Sequence, residues 1–230
     1  MTVLFIDPEH PGVLVDPVRS RAHRDRLSLA LGALASASDF SVESRHFLDA
    51  TPENVSDVAP SAIVIGGCMT DWSEYDFDTF AGLFAIIRRA EVPLLGICAG
   101  HQLIGYANGA SWGALDPLQP GETDVDPSFV PGQRKQRGFS TVTVDPRCPL
   151  FAGFSDRAEI FQSHYWQLCE VPTGFTLRAS SGAAPIQAIE RDDRPVFGVQ
   201  FHPERFDASH PDGMTVLSNF LSLASHGVPR

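Results

Sequence analysis

A single cysteine between two glycines is the strongest chemical signal in this sequence. The run Leu95-Gly96-Ile97-Cys98-Ala99-Gly100-His101-Gln102-Leu103-Ile104 follows the apolar stretch Val92–Ile97, which reads as a short buried strand, and continues into a helix over Gln102–Ala107. A Gly-x-Cys-x-Gly turn between strand and helix has the form of a nucleophile elbow, in which a strained bend lifts one side chain above the sheet. Gly96 and Gly100 suit the bend because it brings those positions together and leaves no room for a Cβ. The helix that follows aims its N-terminus at the sulfur and favours the thiolate. Cys98 is therefore the candidate nucleophile.

A cysteine nucleophile needs a base, and the base needs a group to orient it. The run Pro195-Val196-Phe197-Gly198-Val199-Gln200-Phe201-His202-Pro203-Glu204 offers both. Its extended apolar segment ends just before a proline. His202 and Glu204, two positions apart, project to the same side of an extended backbone. A carboxylate there can accept the second imidazole N–H, fix the tautomer and stabilise the imidazolium.

Together these motifs resemble the class I (triad) glutamine amidotransferases, and in particular the glutaminase portion of guanylate synthetase and its stand-alone relatives. The resemblance runs through Ile63-Val64-Ile65-Gly66-Gly67, the elbow, Gly138–Val144, Ser163-His164, Thr173-Gly174-Phe175 and Gly198–Glu204. It implies a catalytic triad of Cys98, His202 and Glu204. It also implies an oxyanion hole from the Gly67 and Ala99 N–H groups, such donors being worth roughly 3 kcal/mol each. Gln102, one helical turn beyond Cys98, corresponds to a residue that contacts the amino-acid end of bound glutamine. Ser163, His164 and Tyr165 lie where the family holds the same end of the substrate through backbone groups. Tyr165 and Trp166 replace a Gly and an Asp of guanylate-synthetase-like members. His101 is read as an exposed first-turn residue rather than the base, because two residues separate it from the cysteine.

The elements that must position these groups follow from periodicity. Thr2–Ile6 reads as a first strand, the stretch near Arg19–Ala37 as a helix, and Phe40–Phe47 as an edge strand. Ala62–Ile65 is a buried strand and Phe77–Arg89 an amphipathic helix. Strands separated by helices imply a parallel sheet covered on both faces. Beyond Gly109 the short runs Thr141–Val144, Glu159–Phe161, Phe175–Leu177 and Ile186–Ile189, joined by Pro/Gly turns, suggest a small antiparallel side sheet. His210–Ala224 is expected to be a closing helix. The expected fold is α/β, a flavodoxin-like doubly wound, mainly parallel sheet with that side sheet, as a single amidotransferase domain over residues 1–230. Asp116–Gln133, rich in Pro, Gly and acid, is expected to be a mobile loop or an insertion used for contacts.

Composition narrows the function. With 230 residues, 43% hydrophobic, the chain can bury one sizeable core. Its net charge of −11 argues against affinity for nucleic acid or an anionic membrane. No run of about 18 apolar residues appears, and Met1–Ile6 leads straight to Asp7, so neither a membrane span nor a signal peptide is expected. Cys68, Cys98, Cys148 and Cys169 are scattered, and an elbow thiol must stay reduced, which fits a cytoplasmic setting. Arg19, Arg21, His23, Arg24 and Arg26 form a basic cluster, read either as a solvated helix face or as a docking patch. The loop Asp7-Pro8-Glu9-His10 is expected at the carboxyl end of the sheet, where α/β sites sit.

No phosphate loop and no pyrophosphatase signature is present, and no cofactor or metal is expected. The resemblance then implies a glutaminase that hydrolyses the glutamine side-chain amide through a cysteine thioester and passes ammonia to a separate synthase or ligase subunit. The alternative is a partner-independent γ-glutamyl hydrolase or peptidase with the same triad. The intact triad residues speak against a non-catalytic binding relative.

Overall fold

The computed structural model describes residues 1–225. It begins with β1 (Thr2–Asp7), α1 (Pro11–Val15), α2 (Pro17–Ala37), β2 (Ser41–His46), α3 (Pro52–Val58) and β3 (Ala62–Ile65). Next come α4 (Ala81–Arg89), β4 (Leu94–Ile97), α5 (Ala99–Ala107) and β5 (Trp112–Ala114). The chain continues through β6 (Gln136–Val144), β7 (Arg157–His164), β8 (Trp166–Leu168), β9 (Phe175–Ser180), β10 (Ala188–Arg191), β11 (Val196–Val199) and α6 (Asp212–Ser225).

One nine-stranded sheet, in the order β2-β1-β3-β4-β11-β10-β9-β6-β7, forms the centre. Its first five strands pair in parallel and the last four antiparallel. The antiparallel strands expected beyond Gly109 therefore extend the main sheet. The separate small antiparallel sheet is the β5–β8 ribbon, whose three-residue strands are too short to read from periodicity. β2 lies at the edge as expected, and its side chains are largely exposed.

Period-two alternation within the buried strands creates two apolar layers. Val3 and Phe5 of β1 face Ala30, Ala33 and Leu34 of α2 and Val216, Leu217 and Phe220 of α6. Leu4 and Ile6 face Phe80, Leu83 and Ile87 near α4 and Leu103 and Ile104 of α5. This is the doubly wound arrangement.

Local chemistry sets the helix boundaries. Pro17 opens α2, and Asp16 Oδ1 accepts the Val18 and Arg19 N–H groups, each at 2.8 Å. Phe77–Arg89 is not one α-helix. Phe77–Phe80 forms a 3-10 turn capped by Asp76, and the α-helix begins at Ala81.

The acidic Asp116–Gln133 segment is tied down by contacts. Lys135, almost fully buried, donates to Asp124 Oδ1 at 2.7 Å, Asp126 O at 2.8 Å and Val130 O at 3.1 Å. Phe129 then packs edge-on against Tyr165, 5.4 Å between ring centres.

Candidate active site

The elbow is built by two neighbouring strands. Cys98 sits between β4 and α5 with φ 52° and ψ −100°, a conformation L-residues rarely adopt. The Cys98 N–H donates to Val199 O at 2.8 Å, the Gly100 N–H to Gly66 O at 3.1 Å, and the Gln102 N–H back to Cys98 O at 3.1 Å. The two glycines are required by close approach. A Cβ on Gly96 would stand 2.4 Å from Gly100 O, and one on Gly100 would stand 2.3 Å from Ile65 O.

The candidate base, His202, follows β11, which runs parallel beside β4 with Val199 opposite Ile97. The His202 N–H donates to Phe161 O at 2.8 Å, anchoring the turn to β7. His202 Nδ1 and Glu204 Oε1 are 2.7 Å apart, while Nε2 is buried without a hydrogen-bond partner. With Nδ1–H donating to Glu204, Nε2 is the nitrogen left to act as a base. Burial opposes charge on this ring, but the charges of Glu204 and Cys98 outweigh it and raise its pKa to about 10. The arrangement favours an imidazolium beside the cysteine.

A glutamine not singled out from sequence also borders the sulfur. Gln200 is fully buried, its Nε2 lies 3.7 Å from Cys98 Sγ, and its Oε1 accepts from Gln102 Nε2 at 3.0 Å. Its position two residues before His202, just past the end of β11, is a usable signal. Cys98 Sγ also stands 3.9 Å from Ser163 O.

Gly67 borders both halves of the site. A Cβ placed on it would lie 3.1 Å from His202 Cε1 and 3.5 Å from Cys98 Cβ. Among the described residues no group of the protein accepts a hydrogen bond from the N–H of Gly67 or Ala99. Gln102, also buried, is fully engaged. Trp72 Nε1 donates to its Oε1 at 2.7 Å, and its Nε2 donates to Trp166 O at 3.0 Å.

The remaining expected contacts have mixed geometry. Ser163 Oγ accepts from Arg137. The His164 ring turns inward onto Trp166 O and Gln136 Oε1, both at 2.9 Å, and burial drives its pKa down to about 3. The Tyr165 hydroxyl and Trp166 Nε1 both donate to Asp71 Oδ2, the latter at 3.1 Å. Although partial burial acts against it, the hydrogen bonds from Ser73, Tyr165 and Trp166 hold the Asp71 carboxyl down to about 2.

His101 is not exposed as the sequence suggested. It is completely buried because the first turn of α5 packs on β11, where Gly198 has no side chain to occupy the space. A Cβ on Gly198 would lie 2.6 Å from His101 Nδ1. Burial pushes the His101 pKa down to about 4, against the backbone of Gly198 and Ile186.

The basic cluster divides. His23 is buried, with Nε2 2.8 Å from Asp7 Oδ2, while Arg21 and Arg24 point to solvent. Cys68 donates to Thr70 O at 3.6 Å, and burial raises its thiol well above the usual range.

Two clefts meet around this centre. A small one of about 30 Å³, room for a water or two, lies against Cys98, Ala99, Gln102, Phe129, Tyr165 and Trp166. A larger one of about 310 Å³ opens on the other side, against Gly67, His202, Glu204, Arg26, Arg137 and Arg205. No group of three or more His, Cys, Asp or Glu among the described residues is arranged to hold a metal ion. No helix among them is long and apolar enough to cross a membrane.

Comparison with known proteins follows the same lines. The chain is 33% identical over 139 residues to a subunit of the glutamine-hydrolyzing GMP synthase of Saccharolobus solfataricus, a match over 60% of this chain and 63% of that protein. It is 27% identical to the subunit of the same name from Thermococcus kodakarensis, over 79% of this chain and 86% of the other. The crystal structure of a glutamine amidotransferase from Thermotoga maritima superposes over 99% of both chains with a TM-score of 0.66 at 17% identity, which shows a shared fold. The family model "Glutamine amidotransferase class-I" matches residues 34–223, a span holding the elbow, the Gly66-Gly67 segment and the His202–Glu204 pair, and the chain belongs to that family.

Proposed function

We propose that this chain is a glutaminase that hydrolyses the side-chain amide of glutamine through a Cys98 thioester and delivers ammonia to a separate synthase subunit. One observation carries the reading. The cysteine in the strained turn and the histidine oriented by Glu204 emerge from adjacent parallel strands at the same end of the sheet. In this mechanism Cys98 Sγ attacks the amide carbon, and the Gly67 and Ala99 N–H groups receive the developing oxyanion. The imidazolium of His202 gives its proton to the departing nitrogen, which leaves as ammonia. The neutral ring then takes a proton from water as that water attacks the γ-glutamyl thioester, releasing glutamate and the thiol. The synthase partner is inferred from the Saccharolobus solfataricus and Thermococcus kodakarensis relatives, which are named as subunits of a synthase.

The larger cleft favours one second reading. A leaving group bulkier than ammonia, departing on the His202 side, would find about 310 Å³ there, which suits a γ-glutamyl hydrolase. The small cleft must widen to hold a glutamine side chain under either reading.

The test is an assay of the purified chain with glutamine and with γ-glutamyl peptides, alone and with a synthase encoded beside it. Glutamine hydrolysis that Cys98→Ala abolishes, and that rises when the synthase is added, is the expected result. Hydrolysis that survives Cys98→Ala refutes the thioester route. Robust peptide turnover, with glutamine a poor substrate and no partner needed, overturns the amidotransferase reading.

A further inference from the structure

The segment Gly66–Thr70, which carries the Gly67 N–H, is held at both of its ends by the loop and strand of β1. At the near end the Gly66 N–H donates to Ile6 O at 3.0 Å. At the far end the Glu9 carboxylate, only 1% exposed, takes hold. Its Oε2 accepts the Met69 N–H at 3.1 Å and its Oε1 accepts the Thr70 hydroxyl at 2.7 Å. Gly67 and Cys68 span the interval between these two fixed points.

Glu9 is itself held by charge and by hydrogen bonds. The His10 N–H donates to Oε1 at 3.1 Å, and His23 Nδ1 and Arg26 Nη2 stand 3.7 and 3.6 Å from Oε2. Asp7 fixes the opposite nitrogen of His23 at 2.8 Å, and Arg19 Nη2 donates to Thr70 Oγ1 at 3.3 Å. Residues 19, 23 and 26 are successive positions on one face of α2. That face of the basic cluster therefore serves the segment behind the site, with His23 buried and Arg19 and Arg26 reaching in from the exposed surface.

We infer that Glu9 is a positioning residue that sets the direction of the Gly67 N–H by clamping Met69 and Thr70. A peptide whose neighbours include glycine can rotate its N–H out of the site at little cost, and a donor has value only when it is already aimed. The Glu9 clamp removes that freedom. A glutamine in its place has one acceptor oxygen, so its NH2 must face either the Met69 N–H or the His10 N–H and one of those backbone donors loses its acceptor.

The inference rests on the reading of Gly67 as oxyanion donor to Cys98, and the experiment separates the two. Glu9→Gln, Thr70→Val and Thr70→Ser are made in the full chain. Each is assayed for glutamine kcat and KM, for the rate at which 6-diazo-5-oxo-norleucine modifies Cys98, and for the rate at which iodoacetamide alkylates it. Iodoacetamide displacement builds no oxyanion and reports the thiol alone.

Glu9→Gln and Thr70→Val are expected to lower kcat and the diazo-ketone rate roughly ten- to a hundredfold, within the range that loss of one donor produces. KM and the iodoacetamide rate are expected to stay within about threefold of wild type, and Thr70→Ser is expected to restore activity. If Glu9→Gln does not fold, the Thr70→Val and Thr70→Ser pair makes the same comparison. Unchanged kcat in the folded variants, or a parallel fall in the iodoacetamide rate, overturns the positioning role. Glutamine hydrolysis that persists in Cys98→Ala would instead remove the reading on which the inference rests.

Discussion

Strain at Cys98 can be measured by comparing two variants expected to be inactive, Cys98→Ala and Cys98→Gly. Both remove the sulfur and its contacts with Gln200 and Ser163, so those losses cancel. At φ 52° and ψ −100° an alanine lies outside the regions open to L-residues, and such a residue carries about 1–3 kcal/mol of strain. The upper part of that range applies because the turn is fixed on three sides by the bonds to Val199, Gly66 and Gln102. Glycine escapes the strain, but its unfolded chain is freer by about 0.5–1 kcal/mol. The lost methyl contributes at most about 0.8 kcal/mol more. The glycine variant should therefore be the more stable by about 1 kcal/mol, a shift of about 2–4 °C in Tm for a chain of this size. Thermal melts and urea titrations of the two proteins check this, with glutaminase assays confirming that both are inactive. An alanine variant as stable as the glycine variant, or more so, would refute stored strain at the elbow.

The other expectations concern the histidines. His202→Ala should lose nearly as much kcat as Cys98→Ala, and Glu204→Gln roughly a hundredfold less, since the orienting member of a triad costs less than the base. Steady-state kinetics decide this, and equal losses would mean that Glu204 does more than orient the ring. NMR titration of the imidazole in Glu204→Gln should show the His202 pKa lowered from the value near 10 that the neighbouring charges support. His101 has the opposite sign. Its folded pKa, about 4, lies below the ordinary 6.5, so its contribution to stability is present above pH 6.5 and is lost as pH falls toward 4. At pH 5 this amounts to about 2 kcal/mol. Urea titrations at pH 7.5 and 5 should show that loss reduced in His101→Leu, and an identical pH dependence in the two proteins would contradict a buried neutral ring.

Features written in consecutive residues are legible in the sequence, and those made by partners far apart in the chain are not. The elbow can be read because Gly96, Cys98 and Gly100 meet their steric requirement within five residues. His202 and Glu204 are also legible as a pair two residues apart, although a turn closed by the Arg205 N–H to His202 O, not the expected extended backbone, brings their side chains together. The burial of His101 is hidden because it depends on Gly198, nearly a hundred residues away, having no side chain. Tyr165 and Trp166 have no evident reason in the sequence, because the carboxylate they hold, Asp71, reaches them only through the folded sheet. The basic cluster is uniform by composition, yet burial divides it residue by residue along α2.

The strand order explains why these distant residues converge. β1, β3, β4 and β11 are consecutive neighbours in the sheet and all run the same way. Each therefore delivers its following loop to the same edge, where α/β proteins place their chemistry. β1 leads to Glu9, β3 to Gly67, β4 to Cys98 and β11 to Gln200 and His202. With neighbouring strands about 4.8 Å apart, the four loops span about 15 Å, within reach of one substrate and its supporting groups. The order along the edge also fits the roles proposed for the loops. Cys98 lies between the strand that supplies Gly67 and the strand that supplies His202, so an amide carbon at the sulfur would have the oxyanion donor on one flank and the proton donor on the other. Glu9, one strand further out, can touch the Gly67 loop without entering the site. A register change in β3 would disturb the elbow as well, because the Gly100 N–H bonds Gly66 O, whereas loosening the grip of Glu9 on Met69 and Thr70 leaves that bond in place. On the roles proposed for these loops, the clamp on the loop after β3 is therefore the place where this fold would adjust the rate without moving Cys98 or His202.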